Sequence, residues 1–217
     1  MLTKLKQKTQ KLLQNQAKTA TKIGLTPNTI TTIGITLATA SATAYTQWQT
    51  NNTYLITAAL LLLLSGYCDA LDGATARLTQ KTTPFGNYLD SLLDRYADAA
   101  IITALTISGL CETHWGITAL TGTLLVSYTR AKAESLQIKM ETIGIAERPE
   151  RLIITATATI IAYFWQPTQT LNYTTIILTI LTHATVIQRT IHTYKKLKET
   201  KTPKNAYQNA NAAHHAP

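Results

Sequence analysis

Three long segments of this chain contain no charged side chain. No Asp, Glu, Lys or Arg occurs in residues 23–68, 113–129 or 152–188. Such segments suit helices of about 20 residues that cross the hydrocarbon core of a bilayer. The mean hydropathy of +0.01 is low because threonine fills much of these segments. A helical threonine can return its hydroxyl to a carbonyl one turn back, so threonine-rich helices remain compatible with a membrane. The sequence therefore predicts an all-α integral membrane protein.

Loop composition predicts the number and direction of the helices. We expect six transmembrane helices, at about residues 28–47, 53–72, 86–110, 115–134, 147–165 and 171–192. The loops after the first, third and fifth carry one charged residue, Glu112, whereas the other loops and both ends of the chain carry Lys and Arg. This alternation predicts a multi-pass cell-membrane protein with both termini and the even-numbered loops in the cytoplasm.

The two ends of the chain differ from the middle in composition. Residues 1–24 predict a basic amphipathic juxtamembrane helix, with Leu2, Leu5, Leu12 and Leu13 near one face. Residues 25–192 form the expected six-helix membrane domain, and residues 193–217 read as a basic, then polar and disordered tail. The net charge of +9 does not indicate nucleic acid, because the basic residues form short clusters between apolar runs without interleaved aromatics. Anionic lipid explains these clusters better.

Four aspartates lie at the predicted cytoplasmic ends of spans 2 and 3. Asp69 and Asp72 are spaced i, i+3, and Asp90 and Asp94 are spaced i, i+4, so each pair shares one helix face. The short connection makes the two helices antiparallel neighbours, which lets the four carboxylates converge. Converging anions repel one another unless cations hold them together, and an all-oxygen ligand set suits Mg²⁺, Mn²⁺ or Ca²⁺. Four carboxylates can hold two ions about 3.5–4 Å apart, a geometry used for displacement at phosphorus.

A simpler interpretation is that these aspartates only flank the helices and face water. That would explain one aspartate at a helix end, but it does not explain four at this spacing with small residues between them. Gly73, Ala76 and Gly86 would let a ligand approach the backbone closely, and Arg77 could supply a fork to a phosphate.

Residues 69–94 read D-x-x-D-G-x-x-A-R, then eight residues, then G-x-x-x-D-x-x-x-D. This pattern resembles the signature of the CDP-alcohol phosphotransferase family at every fixed position. The resemblance implies a membrane enzyme, usually a homodimer, that uses two Mg²⁺ or Mn²⁺ ions per active site to displace CMP from a CDP-activated lipid. It also implies a set of metal ligands, of which the last is in addition the general base: Asp69, Asp72, Asp90 and Asp94.

The same resemblance implies a nucleotide-binding set that includes the segment LTPNTIT before span 1. Its expected members are Gly73, Ala76, Arg77, Asn28 and Thr31. Taken alone, Pro-Asn in this segment is as well explained as a simple helix start. Asp98 lies one turn beyond Asp94 and outside the signature, so we expect it to support the metal ligands or to pair with a nearby basic residue.

The loop between spans 4 and 5 bears on the acceptor alcohol, because it carries more cations than membrane orientation requires. A phosphorylated acceptor would need such a pocket. The stretches SYTRAKAES and ERPERLII resemble the phosphatidylinositol-phosphate and archaetidylinositol-phosphate synthases of the family. That resemblance implies that Lys132, Arg151 and Arg189 hold the phosphate of myo-inositol phosphate, with Arg148 as a further candidate. Positive-inside bias, or local pairing of the loop arginines with Glu147 and Glu150, is the alternative.

The leading hypothesis is a transferase that moves a phosphatidyl or archaetidyl unit from CDP-diacylglycerol or CDP-archaeol to myo-inositol phosphate. Glycerol 3-phosphate is the second candidate acceptor, and serine, which needs fewer cations, is the third. An ion channel or transporter for divalent cations, with the carboxylates as a selectivity site, is an alternative of a different class. Against it, the acids lie at one membrane edge, and no acid in the middle of spans 4 or 6 continues a path.

Overall fold

A computed structural model describes residues 13–80, 83–140 and 143–201, and in these ranges the chain is helical, with no strand. Within these ranges seven helices follow one another along the chain. α1 includes residues 13–22, and the others are α2 (Pro27–Thr46), α3 (Thr53–Thr79), α4 (Pro84–Ile107), α5 (Thr113–Ser135), α6 (Arg148–Phe164) and α7 (Pro167–Lys201).

The helices that border the aspartates begin in the same way. Thr26 and Thr83 cap α2 and α4, and each is followed by a proline at the first helical position. The Thr26 hydroxyl accepts the backbone N–H of Thr29 at 3.2 Å, and the Thr83 hydroxyl accepts that of Gly86 at 3.0 Å. Such a side chain satisfies one of the N–H groups that a helix start leaves without a partner. These caps fix where α2 and α4 begin, and therefore where their polar residues lie.

Threonine hydroxyls form hydrogen bonds to carbonyls of their own helix. On α2, Thr32, Thr36 and Thr39 each donate to the carbonyl four residues earlier, at 2.8–2.9 Å. The hydroxyl is thereby satisfied without water. The structure thus confirms that threonines in these helices bond to carbonyls one turn back, as the sequence predicted.

Small residues allow the helices to approach one another closely. The main core cluster joins α2, α3, α4 and α6 and contains fully buried alanines at positions 58, 156 and 162. Buried hydroxyls form two hydrogen bonds across helices: Ser41 donates to the Ala58 carbonyl at 2.7 Å, and the hydroxyls of Tyr45 and Thr159 lie 2.7 Å apart. Small residues and interhelical hydroxyl bonds are typical of helix packing in membranes.

The outer surface of the bundle is apolar. Leu60, Ile107, Ile161 and Ile180 are each more than half exposed, at 54%, 72%, 52% and 60%. Exposed apolar surface of this extent marks contact with a lipid or a partner.

The bundle has two distinct ends. At one end, the Trp48 indole donates to the Ser108 carbonyl at 2.9 Å, and the Glu112 N–H donates to the Asn172 side chain at 3.0 Å. These bonds join the α2–α3 and α4–α5 connections to the first turn of α7. The aspartates and the connection between α5 and α6 lie at the opposite end.

Each of the six predicted spans coincides with one of α2 to α7. By length and composition, two of the described helices are apolar enough to cross a bilayer: Thr53–Thr79, with mean hydropathy 1.7, and Pro167–Glu199, with 1.3. Threonine depresses this value in α2, whereas α4 carries four charged residues and α6 has only 17 residues. The described residues form helices and no strand, as the all-α prediction expected, and the number of helices that cross the membrane stays a prediction.

Two helices continue beyond their predicted spans. α3 extends to Thr79 instead of 72, and α7 extends to Lys201 instead of 192. The added part of α7 is rich in Lys, Leu and Glu, which favour helix even where the chain leaves the hydrocarbon. The first nine residues of the predicted tail are thus helical. Its remainder, and Leu2, Leu5 and Leu12 of the predicted N-terminal helix, lie outside the described residues, and the division into three domains stays a prediction.

Enlarging a buried alanine at the contact between α2 and α3 should destabilise the bundle. Ala58→Leu adds volume at a position with 0% exposure. Overpacking of this kind lowers the free energy of unfolding by about 1–3 kcal/mol. We expect a lower apparent Tm in detergent. Ala40→Leu, on the exposed face of α2, is the matched control and should leave the Tm unchanged. Equal effects of the two variants would contradict this packing.

Candidate functional site

The four predicted aspartates lie in one cavity. α3 contributes Asp69 and Asp72, and α4 contributes Asp90 and Asp94. Together with Arg148 they line a cavity of about 250 Å³. The structure therefore brings together the side chains that the helical spacing predicted to converge.

Three of these carboxylates are close enough to share one cation. Asp69, Asp72 and Asp90 each offer an oxygen that lies within 4.8 Å of the other two. Asp72 is only 5% exposed. Like charges held this close and partly removed from water need a compensating cation. The donor set is oxygen only, which fits Mg²⁺ or Mn²⁺.

Asp94 stands slightly apart from the other three. Among the described residues it does not belong to the three-carboxylate group. One oxygen of Asp94 lies 3.0 Å from an Arg148 nitrogen, and the other lies 3.5 Å from Arg95. Its position at the edge of the group suits a residue that acts on a molecule beside the metal site, and its role as a ligand stays a prediction.

α2 supports the buried aspartate directly. The Thr31 hydroxyl lies 2.7 Å from Asp72 Oδ2, as donor, and 3.0 Å from the Pro27 carbonyl. A hydrogen bond to a buried carboxylate oxygen favours its charged form and fixes its orientation. Thr31 thus belongs to the aspartate site as well as to the predicted nucleotide set.

A second cavity of about 370 Å³ adjoins the aspartates. It is lined by four of the five predicted nucleotide-binding residues together with two aspartates: Asn28, Thr31, Gly73, Ala76, Asp72 and Asp90. We call this cavity the nucleotide cleft.

The fifth predicted nucleotide residue, Arg77, is exposed beside this cleft. A Cβ atom on Gly73 would lie 3.5 Å from the Arg77 guanidinium, so the arginine lies over the bare glycine. A Cβ on Gly86 would meet the Thr83 hydroxyl at 2.9 Å, which is closer than real Cβ contacts. The two glycines thus leave room for the Arg77 guanidinium and the Thr83 hydroxyl to approach the backbone closely. That these five residues bind a nucleotide stays a prediction.

Arg148 lies among the acids and not in a separate pocket. Its NH1 nitrogen is 2.7 Å from Asp69 Oδ2 and 3.0 Å from Asp94 Oδ1, and its Nε is 3.4 Å from Asp98 Oδ1. These contacts could not be predicted from the sequence, because Arg148 begins a helix far along the chain from the aspartates and no periodicity relates the positions. The structure therefore adds Arg148 to the residues of the aspartate site.

Asp98 links this arginine to the next one. Arg151 is 7% exposed, and its guanidinium donates to Asp98 Oδ2 at 2.6 Å and to the Ala146 carbonyl at 2.9 Å. The expectation that Asp98 pairs with a nearby basic residue is confirmed. The alternative in which Glu147 and Glu150 satisfy the loop arginines is wrong, because the acids of α3 and α4 take that place.

Arg189 is fully enclosed at the junction of α5, α6 and α7. It is 2% exposed, and its three nitrogens donate to the carbonyls of Val126 at 2.6 Å and Ile143 at 2.7 Å and to the Glu147 carboxylate at 3.0 Å. Arg189 thereby links the connection before α6 to α5 and to its own helix, α7. Gly144 has φ +145° here, and a Cβ on it would lie 3.2 Å from the Arg189 guanidinium. Only glycine combines that backbone with such close approach.

The predicted acceptor-phosphate residues are thus spread over different environments. Arg148 and Arg151 line one cavity of about 460 Å³ together with Asp98. Arg189 is buried, and Lys132 is exposed in the last turn of α5. Their shared role in binding a phosphate stays a prediction.

The comparison with known proteins agrees with this geometry. The archaetidylinositol phosphate synthase of Methanothermobacter thermautotrophicus is 41% identical over 179 residues, which covers 82% of this chain and 88% of the relative. The archaetidylinositol phosphate synthase of Pyrococcus horikoshii is 38% identical over 202 residues, which covers 91% of this chain and 99% of the relative.

Solved structures resemble the fold over most of its length. The crystal structure of Mycobacterium tuberculosis phosphatidylinositol phosphate synthase with CDP-DAG bound has a TM-score of 0.71 and 28% identity, and covers 85% of this chain and 94% of that one. The same enzyme in complex with manganese and citrate has a TM-score of 0.70 and 28% identity, and covers 84% and 88%. The sequence model of the CDP-alcohol phosphatidyltransferase family matches residues 24–192. This chain is therefore a member of the CDP-alcohol phosphatidyltransferase family and a transferase enzyme.

Proposed function

We propose that this protein transfers a phosphatidyl or archaetidyl unit from CDP-diacylglycerol or CDP-archaeol to myo-inositol phosphate and releases CMP. One observation carries the proposal: four aspartates line a single cavity that adjoins the nucleotide cleft. Relatives that are 41% and 38% identical are archaetidylinositol phosphate synthases, which supports inositol phosphate as the acceptor.

The aspartates are the residues that would hold the metal ions. Asp69, Asp72 and Asp90 would hold one ion, and Asp94 would contribute to a second position. Mg²⁺ or Mn²⁺ bound there would neutralise the pyrophosphate and the charge that develops on departing CMP. The Thr31 hydroxyl keeps Asp72 oriented toward the cavity, since it lies 2.7 Å from the carboxylate.

Asp94 is the general base of the proposed reaction. It accepts the proton of the attacking inositol hydroxyl, and the hydroxyl oxygen forms a bond to the lipid-side phosphorus. The bond from that phosphorus to the bridging oxygen breaks, and its electron pair leaves with CMP. The position of Asp94 at the edge of the carboxylate group supports this role.

The nucleotide cleft receives the CDP group. The glycine-lined wall allows the phosphates of the CDP group to approach the backbone of α3. Arg77 beside it offers two parallel N–H donors to a phosphate. Asn28, at the start of α2, offers an amide on the opposite wall.

The acceptor phosphate is drawn to the cationic side of the site. Arg148 and Arg151 line the cavity next to the aspartates. The proposal adds Lys132, which is exposed in the last turn of α5, and Arg189, which is buried on α7. A doubly charged phosphate is favoured near such cations over a neutral amino acid. Glycerol 3-phosphate carries the same charge and is the alternative acceptor.

The chain is proposed to cross the cell membrane six times and to act as a homodimer. The aspartate end is proposed to face the cytoplasm together with both termini. The concentration of Lys and Arg in the connections at that end supports this orientation.

Divalent ions should stabilise the folded protein through the aspartates. An ion at 100 times its Kd adds about 2.7 kcal/mol to the free energy of unfolding, so Mn²⁺ should raise the apparent Tm and EDTA should reverse it. Asp72→Asn keeps the size and the acceptor for Thr31 but removes the charge, and should lose this effect. Glu112→Gln, at the opposite end of the bundle, is the matched control. A full Mn²⁺ response in the Asp72 variant would contradict the metal site.

Purified protein should release CMP from CDP-lipid when myo-inositol phosphate is added. Asp94→Asn should lower this rate by about 10²- to 10⁴-fold, the usual contribution of a general base, while Glu112→Gln should retain it. CMP release with glycerol 3-phosphate or serine, but none with inositol phosphate, would overturn the acceptor. Ion flux through the Asp94 variant without any CMP release would favour a transporter.

The proposed topology is tested by labelling from one side. Thr50 and Lys139 are both exposed in connections at opposite ends of the bundle. Thr50→Cys should react with an impermeant maleimide from outside intact cells, and Lys139→Cys should react only in inverted vesicles. Both variants are made without the native cysteines. Reaction of both from the same side would contradict the six-span arrangement.

A further inference from the structure

The guanidinium of Arg148 touches the carboxylates that are proposed to hold metal. Its NH1 nitrogen lies 2.7 Å from Asp69 and 3.0 Å from Asp94, and the side chain is 16% exposed. Asp69 also belongs to the group of three carboxylates whose oxygens lie within 4.8 Å of one another. One carboxylate therefore faces two possible cation positions, one of them filled by an arginine.

A divalent ion and this guanidinium compete for the same carboxylates. Mg²⁺ binds carboxylate oxygens at about 2.0–2.1 Å, which would place an ion on Asp94 and Asp69 close to the Arg148 nitrogen that touches both. Two positive charges close together in a partly buried site repel strongly. The first ion meets less of this repulsion, because among the described residues the acids paired with Arg148 include Asp69 but neither Asp72 nor Asp90. The second ion meets more of it, because both of its carboxylates touch the arginine.

Asp98 provides a nearby alternative partner for the arginine. Its Oδ1 lies 3.4 Å from Arg148 Nε, and Arg148 also lines the cavity of about 460 Å³ on the side away from Asp69. The start of α6 is anchored separately, since Arg151 donates to Asp98 at 2.6 Å and to the Ala146 carbonyl at 2.9 Å. Asp98 therefore offers Arg148 a carboxylate oxygen that it already touches, and the separate anchor of Arg151 holds the start of α6 in place.

We propose that Arg148 is a displaceable internal cation of the metal centre. It holds Asp69 and Asp94 together until a second divalent ion binds, and then turns to Asp98. The inference rests on the proposed function, because it takes the aspartates as the metal ligands. It follows that the two ions bind unequally: the ion on the three-carboxylate group binds tightly, and the ion on Asp94 binds weakly because it must displace the arginine.

The test is a Mn²⁺ titration followed by the EPR signal of the free ion, on full-length protein in detergent. Wild type should show a tight and a weak class of site. Arg148→Gln should tighten the weak class by about tenfold or more, as expected for removal of one adjacent positive charge, while Arg148→Lys should keep it weak. Arg130→Gln is the matched control, because Arg130 pairs with Glu134 at 2.9 Å on α5.

The Asp98→Asn variant should change the Mn²⁺ affinity of the weak class in the opposite direction. With a weaker alternative partner, Arg148 should remain on Asp94, and the weak class should weaken further. A residue with a purely structural role would give weaker Mn²⁺ binding in both variants. Loss of a negative charge alone would weaken the weak class to the same extent in wild type and in Arg148→Gln protein, whereas displacement requires that Asp98→Asn lose most of its effect once Arg148 is Gln. Thermal unfolding without metal checks that each variant is folded.

The outcomes separate this inference from the proposed function. An Arg148→Gln protein whose weak class is unchanged or weaker would overturn the inference, and so would a wild-type protein with a single class of site. Both results leave CMP release and its dependence on Asp94 intact. A wild-type protein that binds no Mn²⁺ would overturn the metal centre itself, together with the inference.

Discussion

Several carboxylates must be held together at the end of an apolar helix bundle, and much of the structure serves that requirement. Asp72 is almost completely buried, and two further aspartates place oxygens within 4.8 Å of it and of one another. Removing such charges from water is unfavourable unless cations and hydrogen bonds compensate. The Thr31 hydroxyl supplies one bond, and Arg148 supplies one charge. In the proposed function a divalent ion would complete the compensation, so the same repulsion that destabilises the bare cluster would favour the binding of metal.

The compensation extends beyond the cavity as an alternating series of charges. Asp94 and Asp98 on α4 face Arg148 and Arg151 at the start of α6, and Glu147 beside them faces Arg189 on α7. These pairs tie α4 to α6 and the connection before α6 to α7. The last residues of that connection are thus linked to the site, because Glu147 pairs with Arg189 and the Ala146 carbonyl accepts from Arg151.

The sequence predicted local features better than distant contacts. The aspartates were predictable because they repeat at helical spacing on two neighbouring helices, and helix starts such as Thr26-Pro27 carry their own cap. The contact of Arg148 with Asp94 was not predictable, because no periodicity relates the two positions. The burial of Arg189 was also missed: a basic residue near a membrane edge looks exposed in sequence, whereas here three internal acceptors enclose it.

The internal bonding of the threonines has a consequence for how such proteins are recognised. Hydropathy scales score a hydroxyl as if it still faced solvent, yet on α2 each of several hydroxyls already has a carbonyl four residues away. On its exposed face this helix therefore presents threonine methyl groups beside hydroxyls that are already bonded. Hydropathy alone singles out two of the described helices and passes over α2, whose polar groups are largely satisfied within the helix itself.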